Sequence, residues 1–98
     1  MKIVYLHRAR VDLEWWRGYY EAVFQDGSAK AYQQFAKTLE LLKSHPLMGH
    51  PVGTKRLREY AIPNLPFSLI YRIDGQTLVV VRVWDQRANR PASLRGGK

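Results

Sequence analysis

The sequence contains no cysteine, and this absence excludes several classes of protein. Without thiols there is no disulfide scaffold, no thiolate metal site and no cysteine nucleophile. Long hydrophobic runs are also missing: the aliphatic run at residues 78–81 is only four residues long, whereas a membrane-spanning helix needs about 20. The N-terminus lacks the apolar core of a secretory signal. We therefore expect a cytoplasmic protein with no membrane partner.

Acidic residues are scarce, since eight Asp and Glu stand against sixteen Lys and Arg and the net charge is +8. Ten of the basic residues are arginine, and the half of the chain after residue 49 has nine basic and three acidic side chains. The planar guanidinium binds carboxylate or phosphate through two parallel hydrogen bonds. The excess predicts an acidic protein partner or a nucleic acid, although surplus arginine can also serve only to keep a small domain soluble.

The size and composition fit one small globular domain. The chain has 98 residues, of which 46% are hydrophobic and 24% are charged, close to the average for folded domains. We expect a single domain over residues 1–95 and a frayed tail over residues 96–98, where two glycines precede the final lysine.

Hydrophobic periodicity predicts a strand over residues 1–6 and then two helices. Ser28 is a plausible N-cap for the second helix after a break at residues 26–27, and Pro46 ends it because the residue before proline leaves the helical region. The apolar positions that recur at helical spacing are Ala9, Leu13, Trp16, Tyr20 and Val23 in the first helix and Tyr32, Phe35, Leu39 and Leu42 in the second.

After the helices the apolar period becomes two, which predicts strands. We expect a loop over residues 47–54 and strands over residues 56–62, 67–74 and 77–85. Asp74 and Gly75 predict a type I′ turn between the last two strands. The predicted fold class is α+β: strand, helix, helix and a three-stranded antiparallel meander, with the helical hairpin packed on one face of the sheet.

The first predicted helix is apolar on a second side as well. Val11, Trp15 and Ala22 project opposite its core face, and Tyr19 lies on the flank. A helix that is apolar on two sides has a second layer or a partner over it. We interpret these four residues as an interaction face, with burial of Trp15 under a loop of the same chain as the alternative. Trp15 should then matter for binding rather than for folding.

The strands carry most of the chain's chemically distinctive residues. Arginines and aromatic residues alternate there as they do on surfaces that bind RNA or acidic peptides. We expect the arginines to cluster around one end or face of the meander. The candidate binding residues are Arg56, Arg58, Arg72, Arg82, Trp84, Arg87 and Arg90. The three histidines have no nearby carboxylates in metal-ligand spacing, and the serines lie in no nucleophile motif. We therefore expect no metal site and no cofactor.

Many positions across roughly residues 2–95 follow one another in a distinctive order and spacing. They are Ala9, Asp12, Leu13, Trp16, Tyr19, Ala31, Phe35, Leu39, Leu42, Pro46, Gly49, Pro51, Arg56, Leu57, Pro66, Phe67, Tyr71, Arg72, Val81, Val83, Trp84, Asp85, Arg87 and Pro91. This pattern resembles that of the RelE/ParE superfamily of bacterial toxins, and of its ParE branch in particular. The resemblance implies a toxin of a type II toxin–antitoxin module that an acidic antitoxin wraps and inactivates. A homodimer within a toxin–antitoxin heterotetramer is also implied.

The superfamily is divided between two activities. RelE-like members cleave mRNA on the ribosome, whereas ParE-like members inhibit DNA gyrase. Where the RelE-like ribonucleases have an arginine and a tyrosine, this chain has Ser68 and Ser93, and only Arg87 remains. We therefore expect a gyrase inhibitor with no catalytic residue. The alternatives are a ribosome-dependent ribonuclease, which would use Arg87, Arg58 and Asp85, and a degenerate inactive toxin that acts as a binding module.

Overall fold

The computed structural model describes residues 1–23, 28–53 and 56–87. Within them the predicted order of strand, two helices and a meander is confirmed. The predicted break at residues 26–27 and the tail at residues 96–98 lie outside the described residues. The elements are β1 (Lys2–Tyr5), α1 (His7–Val23), α2 (Ser28–Ser44), β2 (His50–Pro51), β3 (Arg58–Ala61), β4 (Phe67–Asp74) and β5 (Thr77–Asp85).

The described strands form one five-stranded sheet in the order β1-β5-β4-β3-β2. β1 is parallel to β5, and the other neighbours are antiparallel. The expectation of an unbroken loop over residues 47–54 is wrong, because His50 and Pro51 pair with β3 as an edge strand. Two residues are too few to show an alternating pattern in the sequence. Proline is tolerated in an edge strand because its nitrogen, which has no hydrogen to donate, can face the side without a neighbouring strand.

Two boundaries in the meander differ from the prediction. Arg56 was expected inside a strand, but it has a φ of 60° and β3 begins only at Arg58. The last hairpin is closed by Gly75 and Gln76, since Asp74 already pairs with Thr77. Only the first of these two loop residues has a positive φ, 58°. This is the pattern of a type II′ turn rather than the predicted type I′.

The helices bury their apolar sides against one face of the sheet. Trp16 is only 2% exposed, and its ring meets Tyr32, Phe35 and Phe67 at centroid distances between 5.2 and 5.9 Å. The predicted helix core is confirmed where it is described: Ala9, Trp16, Leu39 and Leu42 are buried, and Leu13, Tyr32 and Phe35 are partly buried. The side chains of Tyr20 and Val23 lie outside the described part.

A second, smaller apolar cluster is formed by Val52, Ile70 and Trp84, with Leu57 and Val81 packed against it. Val52 follows β2 directly, so the pairing of this short edge strand with β3 positions the Val52 side chain in the cluster. Apolar burial on both sides of β4 and β5 explains why β4 has five consecutive buried residues.

Tyr71 ties the end of α2 to the sheet. Its hydroxyl accepts a hydrogen bond from the Gly49 N–H at 2.9 Å and donates one to the Pro46 carbonyl at 2.8 Å. Burial raises the pKa of Tyr71, so the hydroxyl stays protonated and able to donate. A Cβ on Gly49 would lie 2.6 Å from that oxygen, so only glycine fits here. Arg58 supports the same loop by donating to the Gly49 carbonyl at 2.6 Å.

Candidate functional site

A carboxylate on α1 caps the open edge of β5. β1 pairs with β5 only as far as Val80, so among the described strands none lies beside the next residues of β5 on that side. Asp12 lies here, and its Oδ2 accepts the Val83 N–H at 3.0 Å. The same carboxylate accepts two hydrogen bonds from Arg82, at 2.7 and 3.0 Å. Both side chains are mostly buried, with 15% and 17% exposure. This interaction fixes α1 on the sheet.

The outer side of α1 carries an exposed aromatic stack. Trp15 is 54% exposed. Its ring lies parallel to that of Tyr19, with a centroid distance of 5.2 Å and an interplanar angle of 13°, and it meets the buried Phe67 edge-on at 6.3 Å. Val11 and Ala22 are exposed on the same helix. Three of the four residues predicted as an interaction face are therefore exposed, and the fourth, Tyr19, is partly exposed.

Arg87, just beyond β5, lies over this stack. Its guanidinium carbon is 5.6 Å from the centroid of Tyr19. Two of its nitrogens donate to the two carboxylate oxygens of Asp85, each at 2.9 Å. These hydrogen bonds lower the pKa of Asp85 below its ordinary value and raise that of Arg87. The fold therefore brings Tyr19, on the predicted interaction face of α1, next to Arg87 at the end of β5. In the sequence these residues belong to two separate groups of candidates.

A cavity of about 250 Å³ lies between the two groups. The Arg82 guanidinium lies 4.6 Å above the Trp84 ring beside it. The cavity is lined by Asp12, Trp15, Phe67, Arg82, Val83, Trp84 and Asp85. We call these seven residues, together with Val11, Tyr19, Ala22 and Arg87, the α1–β5 surface. It is aromatic and carries charges that are paired and held in place.

The remaining candidate arginines do not join this surface. Arg72 donates to Asp74 at 2.9 Å, and the exposed Arg56 lies 3.8 Å from the same carboxylate. Arg58 is directed to the backbone of the loop after α2. Asp74 and Phe67 lie at opposite ends of β4, and Phe67 pairs with Asp85. The arginines near Asp74 and those near Asp85 therefore form two groups and not one. Arg90 lies outside the described residues.

The residues that a ribonuclease would use are also separated. Arg58 pairs with Tyr71 on one side of β4, whereas Asp85 pairs with Phe67 on the other side. Four residues of strand correspond to about 13 Å, so Arg58 is remote from the Asp85–Arg87 pair. Ser68 is fully buried and accepts a hydrogen bond from Gln86 at 2.8 Å. Ser93 lies outside the described residues.

Neither a metal nor a membrane is indicated by the part of the chain that the structure describes. No group of three His, Cys, Asp or Glu side chains there could hold a metal ion. None of the described helices is both long and apolar enough to cross a membrane.

Asp12 was predicted only as one of the positions that carry the family resemblance, with no contact of its own. Because Asp12 directly precedes the core residue Leu13, its position indicates only that it lies near the border between α1 and the sheet. Its partners Arg82 and Val83 are about 70 positions away in the chain. Only the fold shows that they meet.

The lowered pKa of Asp85 gives a testable pH dependence. Because the folded pKa lies below the unfolded one, the clamp with Arg87 is complete above the ordinary pKa of an aspartate, about 3.9, and is lost as the pH falls through the lower folded value. An NMR titration should place the Asp85 midpoint below that ordinary value. In an Arg87→Gln variant the midpoint should move back up, and an unchanged midpoint would contradict the clamp.

Comparison with known proteins identifies the family. A chain of the chromosomal ParDE TA system from P. aeruginosa has the same fold: the TM-score is 0.72 and the sequence identity 21%, covering 85% of this chain and 92% of that chain. A search of the curated proteins gives no significant match. The family model described as the ParE toxin of the type II toxin–antitoxin system parDE matches residues 3–90. The chain therefore belongs to the ParE toxin family of type II toxin–antitoxin systems.

Proposed function

We propose that this protein inhibits DNA gyrase in the bacterial cytoplasm and is neutralised by an acidic cognate antitoxin. Family membership supplies the class of toxin and implies the antitoxin. The observation that carries the choice of gyrase over mRNA is the separation of Arg58 from the Asp85–Arg87 pair. Cleavage of RNA requires a group that removes the 2′-hydroxyl proton and cations that hold the phosphate at the same point.

The hydrogen bonds between Arg87 and Asp85 also support the choice of gyrase over mRNA. Asp85 accepts two hydrogen bonds from its side chain and a third from its backbone N–H. A guanidinium paired in this way is less available to a phosphate, and its partner carboxylate is a weak base because its pKa is lowered. Buried Ser68 supplies no cation to replace the missing arginine.

For the antitoxin we propose the α1–β5 surface as the docking site. Exposed aromatic residues surrounded by fixed arginines are typical of binding hot spots. The proposed contact residues are Val11, Trp15, Tyr19 and Ala22 on α1 and Arg82, Trp84 and Arg87 on or just after β5. Trp15, Arg82 and Trp84 line the same cavity, and the Tyr19 ring contacts both Trp15 and Arg87.

An acidic antitoxin would meet arginines that already have carboxylate partners in the toxin. At Arg82 and Arg72 it would extend an existing ion pair rather than satisfy a free cation. Close charge pairs across interfaces couple by about 1.5 to 7 kcal/mol. Arg56, Arg58 and Arg72 would take part only if the antitoxin also reaches the Asp74 end of β4, as a partner that wraps the toxin would. A toxin homodimer within a toxin–antitoxin heterotetramer is part of this proposal.

Expression of the toxin without its antitoxin tests the choice of target. We expect growth to stop through DNA damage and filamentation while translation at first continues. The opposite result is cleavage of mRNA at codon-phased positions within minutes, abolished by Arg87→Ala. That result would overturn gyrase inhibition in favour of a ribonuclease that depends on Arg87. Expression that leaves growth unaffected would favour the inactive binding module.

A further inference from the structure

A groove runs along the first half of α2. Its volume is about 510 Å³, and its other wall is the turn between β3 and β4. The lining residues are Lys30, Ala31, Gln33, Gln34, Lys37, Asn64 and Leu65. We call it the α2 groove. It contains two cations, three amides and no carboxylate.

The charges in the α2 groove differ in kind from those of the sheet arginines. Arg72, Arg82 and Arg87 each bind a carboxylate of the chain itself. Lys30 and Lys37 have no ion-pair partner within residues 1–23, 28–53 and 56–87. The first turn of α2 contains no acidic residue, so no carboxylate within that turn offsets the positive end of the helix dipole. Within the described part of the chain, the positive charge of the groove is therefore unpaired.

The polar groups of the groove follow one another along α2. Lys30 and Lys37 are seven residues apart on one helix, which corresponds to about 10.5 Å along its axis. Gln33 and Gln34 lie between them. Asn64 faces them from a turn with a φ of 67°, which the Leu65 N–H fixes by donating to the Ile62 carbonyl at 3.2 Å. Lysine and amide side chains are common phosphate contacts in protein–DNA complexes.

We propose that the α2 groove binds the sugar–phosphate backbone of duplex DNA. Lys30 and Lys37 would neutralise two phosphates, and the amides would donate to phosphate and sugar oxygens between them. An acidic protein segment is the alternative occupant, and the comparison with poly-glutamate below tests it. DNA binding goes beyond gyrase inhibition and does not depend on it.

Fluorescence anisotropy with a labelled duplex of about 20 base pairs, titrated with the full chain at several salt concentrations, tests the proposal. The test variant is Lys30→Gln with Lys37→Gln. The matched control is Lys2→Gln with Lys43→Gln, which removes the same charge at positions outside the groove. Lysine and glutamine have nearly equal helix propensities, and Lys2 is an exposed residue at the start of β1, so these variants should fold.

We expect the groove variant to lose about tenfold in affinity at low salt, and the slope of log K against log salt to become shallower by about 1.8, as for two phosphates lost. The control should lose at most about threefold, with little change of slope. Asn64→Asp keeps a residue that tolerates positive φ and places a carboxylate in the groove, so it should also weaken binding.

Three results would overturn the proposal. One is that the chain does not bind the duplex at low salt. Another is that both double variants weaken binding equally, which would mean that the total charge alone attracts DNA. The third is that poly-glutamate of similar length binds as well as the duplex and loses affinity in the same variant, which would make the groove a site for acidic proteins.

Discussion

Replacing Asp12 by alanine is expected to destabilise the protein by about 3 kcal/mol, since removing one partner of a buried ion pair leaves the other charge uncompensated. Asp12 accepts two hydrogen bonds from Arg82 and one from the Val83 N–H. All three donors would lose their acceptor in a largely buried place, and the edge of β5 would lose its only described cap. The loss should therefore exceed that of an ordinary surface ion pair.

Urea denaturation of the variant and the parent chain measures this difference. Glu40→Gln is the matched control, because Glu40 pairs with Lys43 at 3.5 Å on the exposed side of α2. Its free energy of unfolding should change by less than about 0.5 kcal/mol. A destabilisation below about 1 kcal/mol for Asp12→Ala would place Asp12 among such surface pairs, and would contradict the anchoring of α1 to β5.

Replacing Trp15 by alanine is expected to weaken antitoxin binding by at least 2 kcal/mol, or about 30-fold, as for an aromatic hot spot. Folding should change little, because more than half of Trp15 is exposed. The loss of its stacking on Tyr19 should reduce stability by only about 1 kcal/mol. Isothermal titration calorimetry with the antitoxin gives the first quantity and thermal unfolding gives the second.

The neighbouring Trp16 provides a matched control for Trp15. It is buried against α2 and the sheet, so Trp16→Ala should lower stability by about 3 to 5 kcal/mol. Leu47→Ala changes an exposed apolar residue outside the α1–β5 surface and should leave antitoxin binding unaltered. If Trp15→Ala instead lost as much stability as Trp16→Ala, Trp15 would be a core residue and not an interface residue.

The fold was largely predictable because its elements are long enough to show a period. Trp16, Leu39 and Leu42 recur at helical spacing and are buried as expected. β2 was missed because two residues carry no period. Arg56 alternates with Arg58 in the sequence, so the period of two extended the predicted strand too far. The positive φ of Arg56 places it in a turn before β3.

The candidate site was predictable only in its parts. The second apolar side of α1 was visible in the spacing of Val11 and Trp15, and both are exposed. The arginines were expected to form one cluster, because sequence alone does not show which end of a strand each one occupies. It also does not show that Arg82 is paired with Asp12, 70 residues earlier. Partners so far apart in the chain meet only through the packing of α1 on β5.

The most direct test of the proposed function is a supercoiling assay with purified gyrase and relaxed plasmid. We expect the free toxin to inhibit supercoiling, and the antitoxin to restore it in proportion to the complex formed. Trp15→Ala toxin should still inhibit gyrase but should need more antitoxin for the same restoration. Full gyrase activity at saturating toxin, together with cleavage of mRNA on purified ribosomes, would contradict the proposal and establish the ribonuclease alternative.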